Sequence, residues 1–360
     1  MFLDFIFKKK ENNLGLDIGN HLIKFVIADS KWTDNDRVLS SAKVNFVGNI
    51  RIDNLDDPNV IQETIIKFLD ENKIDRALTK TIACISGPNV IVRTIEETQR
   101  SKKDLEKDKE EIVSKYIPYG IDKAKYDLIV LNQSLPYDQS KMELLLISLL
   151  LEEVVIVEDI IKNSNLQKVA VEFDLLGAWR LLEGINYKGN FNSTVNMLID
   201  FGAVSTKISV FQEGKMKLLR NLKIGADDLI KRMVEVLAVS KEELLNSFEE
   251  LSIDDAKYQN IFIKHFESII KEIKRTISTY KSRYSVDFNE IYIIGGVSKI
   301  KNLDNYLKRE IEFNVEKINY EYLKNVIKVE KKYENEFKEN IAIYVNALGL
   351  ALGHGQQRKT

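Results

Sequence analysis

The sequence predicts an α/β protein of two domains built on a duplicated strand–turn–strand element. The chain has 360 residues, which is too long for one typical hydrophobic core. Residues 17–24 and 200–207 carry aspartate, glycine and lysine at the same three offsets. Apolar residues precede each copy and an alternating strand follows it, so each copy opens one half of the chain.

Composition excludes several classes of protein. The 53 lysines and arginines nearly balance the 55 aspartates and glutamates, and the net charge of −2 provides no basic field for nucleic acid. Cys84 is the single cysteine, so no disulfide framework forms within the chain, and its apolar neighbours predict a buried core thiol. The three histidines, His21, His265 and His354, lie far apart in the sequence, which argues against a zinc site.

The apolar stretches are too short to cross a bilayer. Residues 144–151 form the longest one, far below the roughly 18 residues that a spanning helix needs. Residues 1–10 are apolar and then basic, which is the reverse of a signal peptide. We expect a leader that packs on the first domain, with a foot on an anionic membrane surface as the alternative. These features predict a cytoplasmic protein.

Periodicity of apolar residues places the secondary structure along the chain. Alternating or continuous apolar runs predict strands at residues 14–17, 22–28, 81–85, 90–95, 126–133, 141–150, 169–171, 195–200, 207–211, 215–219 and 290–294. Helical spacing predicts helices at residues 60–72, 102–117, 152–163, 174–182, 226–236, 241–249, 258–282, 303–310 and 340–352. The charged and tyrosine-rich segment 320–339 is interpreted as a solvated face.

The paired hairpins have the residue types that phosphate binding requires. A glycine at a tight turn, such as Gly19, lets backbone N–H groups approach phosphate oxygens. A carboxylate before the turn, such as Asp17, can hold hydrated Mg²⁺. A lysine on the returning strand, such as Lys24, can offset phosphate charge. Facing copies from two domains would clamp a polyphosphate.

Two further elements support a nucleotide site. The strand at residues 290–294 ends in Gly295 and Gly296, and two glycines allow close approach of a base or ribose. The helix at residues 342–351 contains Ala347, Gly349 and Ala351, whose small side chains permit tight helix contact. This helix is interpreted either as a hinge between domains or as a C-terminal core helix.

These motifs together resemble those of the actin-like ATPase superfamily and, within it, the type IV pilus assembly protein PilM family. The finer resemblance runs, in order, through residues 14–19, 85–93, 198–202, 219–227 and 294–296. It implies an actin-like, ribonuclease-H-like duplicated fold. Its first domain would span residues 12–185, with an α+β subdomain inserted at about 86–166 and the helix 340–352 packing back on it. Its second domain would span 190–335, with a small helical subdomain at about 225–257.

The resemblance also implies ATP and Mg²⁺ as cofactors and a set of site residues. Asp17 and Asp200 would serve Mg²⁺ through water, and Asp174 and Glu172 would be the catalytic carboxylates. The remaining nucleotide-binding positions would be Gly19, Asn20, Lys24, Gly202, Thr206, Gly295 and Gly296.

Three departures from the family pattern predict ATP binding with weak or absent hydrolysis. Asn20 and His21 replace a hydroxyl-rich turn, which removes phosphate donors. Asp174 is one methylene shorter than the glutamate expected to activate water. The helix at residues 241–246 lacks the acid–lysine pair expected to hold the ribose.

The function that the resemblance implies is a cytoplasmic, peripheral component of the inner-membrane platform of a type IV pilus. Its partner would be the cytoplasmic N-terminal peptide of a PilN-like membrane protein, bound in a nucleotide-sensitive way in a groove beside the inserted subdomain. Pilus assembly ATPases and a second copy of the chain are further expected partners. An FtsA-like division protein is one alternative, although the polar tail at residues 353–360 does not suit membrane insertion. A small-molecule kinase of the same fold is another.

Overall fold

The computed structural model describes residues 11–33, 38–52, 57–86, 89–135 and 137–353. The N-terminal stretch 1–10 and the tail 354–360, on which two of the expectations above depend, lie outside these residues.

Strands and helices alternate along the described chain. The strands are β1 (Asn12–Ile18), β2 (Leu22–Thr33), β3 (Val38–Arg51), β4 (Thr79–Ile85), β5 (Ile91–Thr98), β6 (Ala124–Asn132), β7 (Lys141–Leu150), β8 (Gln167–Phe173), β9 (Val195–Phe201), β10 (Thr206–Gln212), β11 (Lys215–Leu222), β12 (Phe288–Ile294), β13 (Val315–Lys317) and β14 (Ile327–Val329). The helices are α1 (Pro58–Glu71), α2 (Lys102–Ser114), α3 (Leu151–Asn163), α4 (Leu176–Gly184), α5 (Ala226–Leu237), α6 (Lys241–Asn246), α7 (Gln259–Tyr284), α8 (Leu303–Ile311) and α9 (Glu334–Leu352).

The described part of the chain divides into two compact units, and the first comprises its residues within 11–86, 151–185 and 320–353. Its six-stranded sheet has the order β14-β3-β2-β1-β4-β8. Because side chains alternate between the two faces of a strand, Phe25 of β2 stacks on Phe68 of α1, while Gly15 of β1 lies against α9 on the other face.

The second unit comprises residues 87–150 and 186–319. It contains a five-stranded sheet of order β11-β10-β9-β12-β13 and a three-stranded sheet of order β5-β7-β6. Buried side chains of α5, α7 and α8 pack on the five-stranded sheet, and those of α2 pack on the smaller one.

The two large sheets repeat one topology. In each, a hairpin of antiparallel strands (β1–β2 and β9–β10) is extended by an antiparallel third strand on one side and a parallel strand, β4 or β12, on the other. The prediction of a duplicated α/β fold is therefore confirmed at the level of the backbone.

Two details of the sequence interpretation were wrong. No strand was predicted at β3, although β3 pairs with β2 along most of its length. The segment 320–339 is not merely a solvated face, because Ile327 of β14 is fully buried beside β3, and Phe337 of α9 is fully buried.

The subdomain predicted at about residues 86–166, as an insertion in the first domain, is divided between the two compact units. Residues 87–150 belong to the same compact unit as the second large sheet, whereas α3 belongs to the first unit, where it packs on α1, β4 and β8. Helix α9 also lies in the first unit and packs on β1, β2 and α4.

Candidate functional site

The first hairpin places Asp17 and Lys24 opposite each other. They are directly paired residues of β1 and β2, and the Lys24 Nζ lies 3.1 Å from Asp17 Oδ2. The Gly19 N–H donates to the Leu22 carbonyl at 3.1 Å and closes the turn, in which Asn20 is half-buried. A Cβ at Gly19 would lie 2.6 Å from Lys24 Nζ, so a larger residue would displace the lysine from its place over the turn.

A buried network holds the other oxygen of the Asp17 carboxylate. The Cys84 thiol donates to Asp17 Oδ1 at 3.4 Å, and the Asn346 Nδ2 donates to Cys84 Sγ at 3.3 Å. The Asn346 Oδ1 in turn accepts from the Ala178 N–H at 3.3 Å. Side chains of β4 and α9 and the N-terminus of α4 therefore orient the carboxylate at the end of β1.

Cys84 is a core thiol, as predicted, but one that lies between carboxylates. Its side chain is fully buried, and burial raises its pKa well above the usual value. The charges of Asp17 and Asp174 raise this pKa further. The thiol consequently keeps its proton at neutral pH and acts as a donor.

The second hairpin repeats the register of the first. Asp200 of β9 pairs with Lys207 of β10, and the Gly202 N–H donates to the Ser205 carbonyl at 3.0 Å. Lys207 is buried. Thr206 is buried as well, and its Oγ1 donates to the Ile224 carbonyl at 2.8 Å.

The N-terminus of α5 holds this second turn, which the sequence analysis did not anticipate. The Ala226 and Asp227 N–H groups donate to the carbonyls of Gly202 and Ala203 at 3.0 and 2.9 Å. A Cβ at Gly225 would lie 2.2 Å from the Ala203 carbonyl oxygen, so glycine is required for this close approach. The first hairpin is held differently, through the buried hydrogen bonds that link Asp17, Cys84 and Asn346.

The glycine pair lies beside Asp200. Strand β12 runs parallel to β9 and pairs Ile294 with Asp200, so Gly295 follows at the same end of the sheet. Gly295 has a φ of +89°, and a Cβ there would lie 2.5 Å from Asp200 Oδ1. A Cβ at Gly296 would meet no atom within 4 Å, so the backbone at Gly296 faces open space.

The two carboxylates predicted to be catalytic have different surroundings. Asp174 is buried, and its Oδ2 accepts from the Ser86 hydroxyl at 2.5 Å. Glu172 is held by Arg180 of α4, whose Nη2 donates to both carboxylate oxygens at 2.8 and 2.9 Å.

The structure thus gathers the predicted residues into groups within each unit. In the first unit, the charges of Asp17 and Asp174 both act on Cys84, whereas Glu172 is bound by Arg180. In the second unit, Asp200 and Gly295 are adjacent. The supporting residues Cys84, Ser86, Arg180 and Asn346 were not anticipated as parts of a site. The partners of Cys84, Ser86 and Asn346 are distant in sequence.

Comparisons with known proteins agree with this architecture. A family model described as type IV pilus assembly protein PilM matches residues 15–354. A chain of the PilM–PilN type IV pilus biogenesis complex superposes with a TM-score of 0.76 at 19% identity, covering 97% of this chain and 100% of that one. Among curated proteins, none matches the sequence.

Other solved structures superpose less well on this chain. The ethanolamine utilization protein EutJ from Carboxydothermus hydrogenoformans has a TM-score of 0.49 at 15% identity, over 96% of this chain and 90% of its own. MreB5 of Spiroplasma citri bound to ADP has a TM-score of 0.48 at 10% identity, over 92% of this chain and 98% of its own. The predicted actin-like α/β fold is confirmed by the much closer superposition on the chain from the pilus complex.

Proposed function

Because the chain belongs to the type IV pilus assembly protein PilM family, we propose that it is the ATP-binding, actin-like component of a type IV pilus assembly complex. The observation that carries the nucleotide part is the repeated hairpin. Asp17 with Lys24, and Asp200 with Lys207, occupy the same register at the ends of equivalent strands in two separate sheets.

The residues present suit a magnesium nucleotide. Mg²⁺ keeps several waters and takes one or two carboxylates together with phosphate oxygens. Asp17 and Asp200 are the carboxylates proposed to hold it through water. Among the described residues, no cluster of three or more histidine, cysteine or carboxylate side chains suits a metal bound by protein alone. Lys24 and the backbone N–H of Asn20 would serve the phosphates. Gly19 and Gly202 would line them without donating, because their own N–H groups close the two turns. Gly295 and Gly296 would line the adenosine.

Binding and hydrolysis place different demands on these residues. Thr206, an expected phosphate ligand, donates its hydroxyl to a main-chain carbonyl, so its contribution would have to come from its backbone. Asp174, the proposed water-activating residue, already accepts a short hydrogen bond from Ser86. We therefore expect ATP binding with weak or absent turnover from the isolated protein.

The proposed partner is the cytoplasmic N-terminal peptide of a PilN-like membrane protein. The support is the likeness to a chain of the PilM–PilN complex over the whole length of that chain. In the described part of this chain, no helix is both long and apolar enough to span a bilayer. Recruitment through such a peptide would bring the protein to the inner face of the membrane, where pilus assembly ATPases and further copies of the chain are proposed to join it.

Thermal melting tests the nucleotide proposal. A ligand present at about 100 times its dissociation constant stabilises the fold by about 2.7 kcal/mol, so MgATP should raise the melting temperature. Asp200→Asn should remove this shift and leave the melt without nucleotide nearly unchanged. Asp287→Asn, which changes a highly exposed carboxylate, is the matched control and should keep the full shift.

Two results would contradict the proposal. One is the absence of any shift with millimolar MgATP in the unaltered protein. The other is a full shift in the Asp200→Asn variant. ATP without Mg²⁺, in the presence of a chelator, should give a smaller shift than MgATP.

A further inference from the structure

Ser86 and Asp174 stand at the ends of two neighbouring strands. Strands β4 and β8 run parallel, and Ile85 pairs with Phe173 at their carboxyl ends. The Asp174 N–H donates to the Ile85 carbonyl at 3.0 Å. Because Ser86 and Asp174 are the next residues after this pair, the sheet itself fixes their main chains side by side.

A short hydrogen bond joins the two side chains. The Ser86 hydroxyl donates to Asp174 Oδ2 at 2.5 Å, and Asp174 is only 3% exposed. Hydroxyl–carboxylate bonds of about 2.5–2.7 Å are charge-assisted and roughly twice as strong as those between neutral groups. Burial strengthens the bond further, because the protein interior screens charges less than water does. One oxygen of this carboxylate is therefore strongly engaged.

The kind of donor distinguishes Asp174 from Glu172. Arg180 binds both oxygens of Glu172 and carries a permanent positive charge. The donor to Asp174 Oδ2 is a neutral hydroxyl, which rotates about a single torsion angle. Its removal by substitution leaves no cation unpaired. Asp174 is thus the carboxylate whose restraint is the easier to release.

This hydrogen bond opposes the role proposed for Asp174. A general base takes a proton from water through a hydrogen bond of about 2.6–3.2 Å, and its efficiency depends on its basicity. A donor to the ionised carboxylate stabilises the charged form and so makes its oxygen a weaker base. The Ser86 hydroxyl consequently orients Asp174 but lowers its ability to accept a proton.

The place of Ser86 in the chain makes the bond sensitive to the main chain. Ser86 is the last residue of the first unit before the chain passes into residues 87–150 of the second. Its hydroxyl moves with the main chain at this crossing, so a shift of the main chain at Ser86 changes the hydrogen bond to Asp174.

We infer that Ser86 is a positioning residue that suppresses ATP hydrolysis, and that the chain has a latent ATPase activity which loss of this hydroxyl releases. In the released step, a water oxygen bonds to the γ-phosphorus and its proton passes to the Asp174 carboxylate. The bond from the γ-phosphorus to the bridging oxygen breaks, which gives ADP and inorganic phosphate. Ser86 keeps its own proton and makes no bond to phosphorus.

This inference rests on the proposed function, because it requires MgATP as the ligand. It goes further in assigning the slow turnover to one hydroxyl. The shorter side chain of Asp174 and the missing donors at Asn20 and His21 would instead leave turnover slow in every variant of Ser86.

Steady-state ADP formation by the full-length protein tests the inference. Ser86→Ala should raise kcat at saturating MgATP by about tenfold or more, which corresponds to a barrier lower by about 1.4 kcal/mol, while KM changes less than threefold. Ser86→Thr keeps the hydroxyl and should stay within twofold of the unaltered protein. Ser278→Ala, at an exposed position of α7, is the matched control and should leave both constants unchanged.

Two further variants make the test independent of packing at Ser86. Ser86→Val has the shape of Ser86→Thr without the hydroxyl, so its kcat should exceed that of Ser86→Thr by the same factor even where Ser86→Ala fails to fold. Ser86→Ala combined with Asp174→Asn should lose the gain, because an amide cannot take the proton.

The outcomes separate this inference from the proposed function. Unchanged or lower kcat in both Ser86→Ala and Ser86→Val, with the MgATP shift in melting temperature retained, would overturn the inference and leave the nucleotide proposal in place. A gain that survives Asp174→Asn would also overturn it, since the hydroxyl would not act through Asp174. Absence of the MgATP shift in the unaltered protein would instead contradict the proposed function.

Discussion

At the scale of single residues, hydrogen bonds orient the carboxylates of Asp17 and Asp174. Asp17 has one oxygen paired with Lys24 and the other with the Cys84 thiol. Asp174 is fixed by Ser86. Each carboxylate is oriented before any ligand binds, which lowers the cost of ordering it on binding. Glu172 differs, since Arg180 already satisfies both of its oxygens.

Substitution of the two predicted catalytic carboxylates should separate their roles. We expect Asp174→Ala to abolish any slow ADP formation measured over hours, while the MgATP shift in melting temperature remains. Glu172→Ala should instead destabilise the fold by about 2 kcal/mol, because Arg180 loses a charged hydrogen-bond partner. Equal loss of turnover in both variants, without loss of stability in Glu172→Ala, would contradict this assignment.

His265 should make stability fall in acid. Burial lowers its pKa from 6.5 to about 4, with Arg232 also lowering it and Asp228 opposing the shift. The unfolded chain therefore binds more protons than the folded one below pH 6.5. Above pH 6.5, the contribution of this residue to the free energy of unfolding is complete. It is lost as the pH falls towards 4, by about 1.4 kcal/mol per pH unit.

Denaturation with urea between pH 7 and pH 4.5 measures this loss. His265→Gln cannot titrate, so its free energy of unfolding should fall by roughly 2.5 kcal/mol less over this range than that of the unaltered protein. Parallel curves for the two proteins would show that His265 does not titrate as described.

At the scale of elements, glycine allows two helices to approach unusually closely. A Cβ at Gly349 of α9 would lie 1.8 Å from the Gly177 carbonyl oxygen of α4. A Cβ at Gly177 would lie 2.3 Å from the Asn346 carbonyl oxygen. The small-residue pattern of the C-terminal helix thus serves a buried helix crossing inside the first unit. The same crossing positions Asn346, which supports Cys84 and through it Asp17.

Gly349→Ala should therefore be destabilising although alanine favours helices. The gain in helix propensity is at most about 1 kcal/mol, whereas forced separation of packed backbones costs about 1–3 kcal/mol. We expect a net loss of about 1–2 kcal/mol and a weaker MgATP shift. Glu339→Ala, at an exposed position of the same helix, should change stability by less than about 0.5 kcal/mol.

At the scale of the whole chain, the compact units do not follow the order of the sequence. Residues 87–150 are inserted between β4 and α3 of the first unit, yet they belong to the second unit. These residues contact the rest of the second unit through the buried ion pair of Glu143 with Lys217 and the hydrogen bond that Tyr284 donates to Glu143. A deletion that removes residues 86–166 would also remove α3, which packs in the first unit, so residues 87–150 are the better segment to delete.

Because Glu143 and Lys217 form a buried ion pair, we expect the effects of substituting them on the free energy of unfolding to be strongly non-additive. Glu143→Leu or Lys217→Met alone should destabilise the protein by about 3–5 kcal/mol, because each leaves an uncompensated buried charge. The double variant should recover most of that loss, and urea denaturation of all four proteins measures the coupling. Additive losses would show that the two charges do not stabilise each other.

Local patterns in the sequence were sufficient to identify the fold and the two hairpins that are proposed to form the site. A hairpin is short, so its aspartate, glycine and lysine stand at fixed offsets that can be recognised twice, at residues 17–24 and 200–207. The register of both hairpins follows from those offsets. The strand β3 was missed although residues 42–46 alternate between apolar and polar side chains, and the structure shows it paired with β2 on one side and β14 on the other.

Tertiary structure alone decided how these local pieces are supported. The Cys84–Asn346 contact joins residues 262 positions apart, and Glu143 meets Lys217 across 74 positions. No periodicity encodes such pairs, because they depend on which strand edges and helix faces the complete fold brings together.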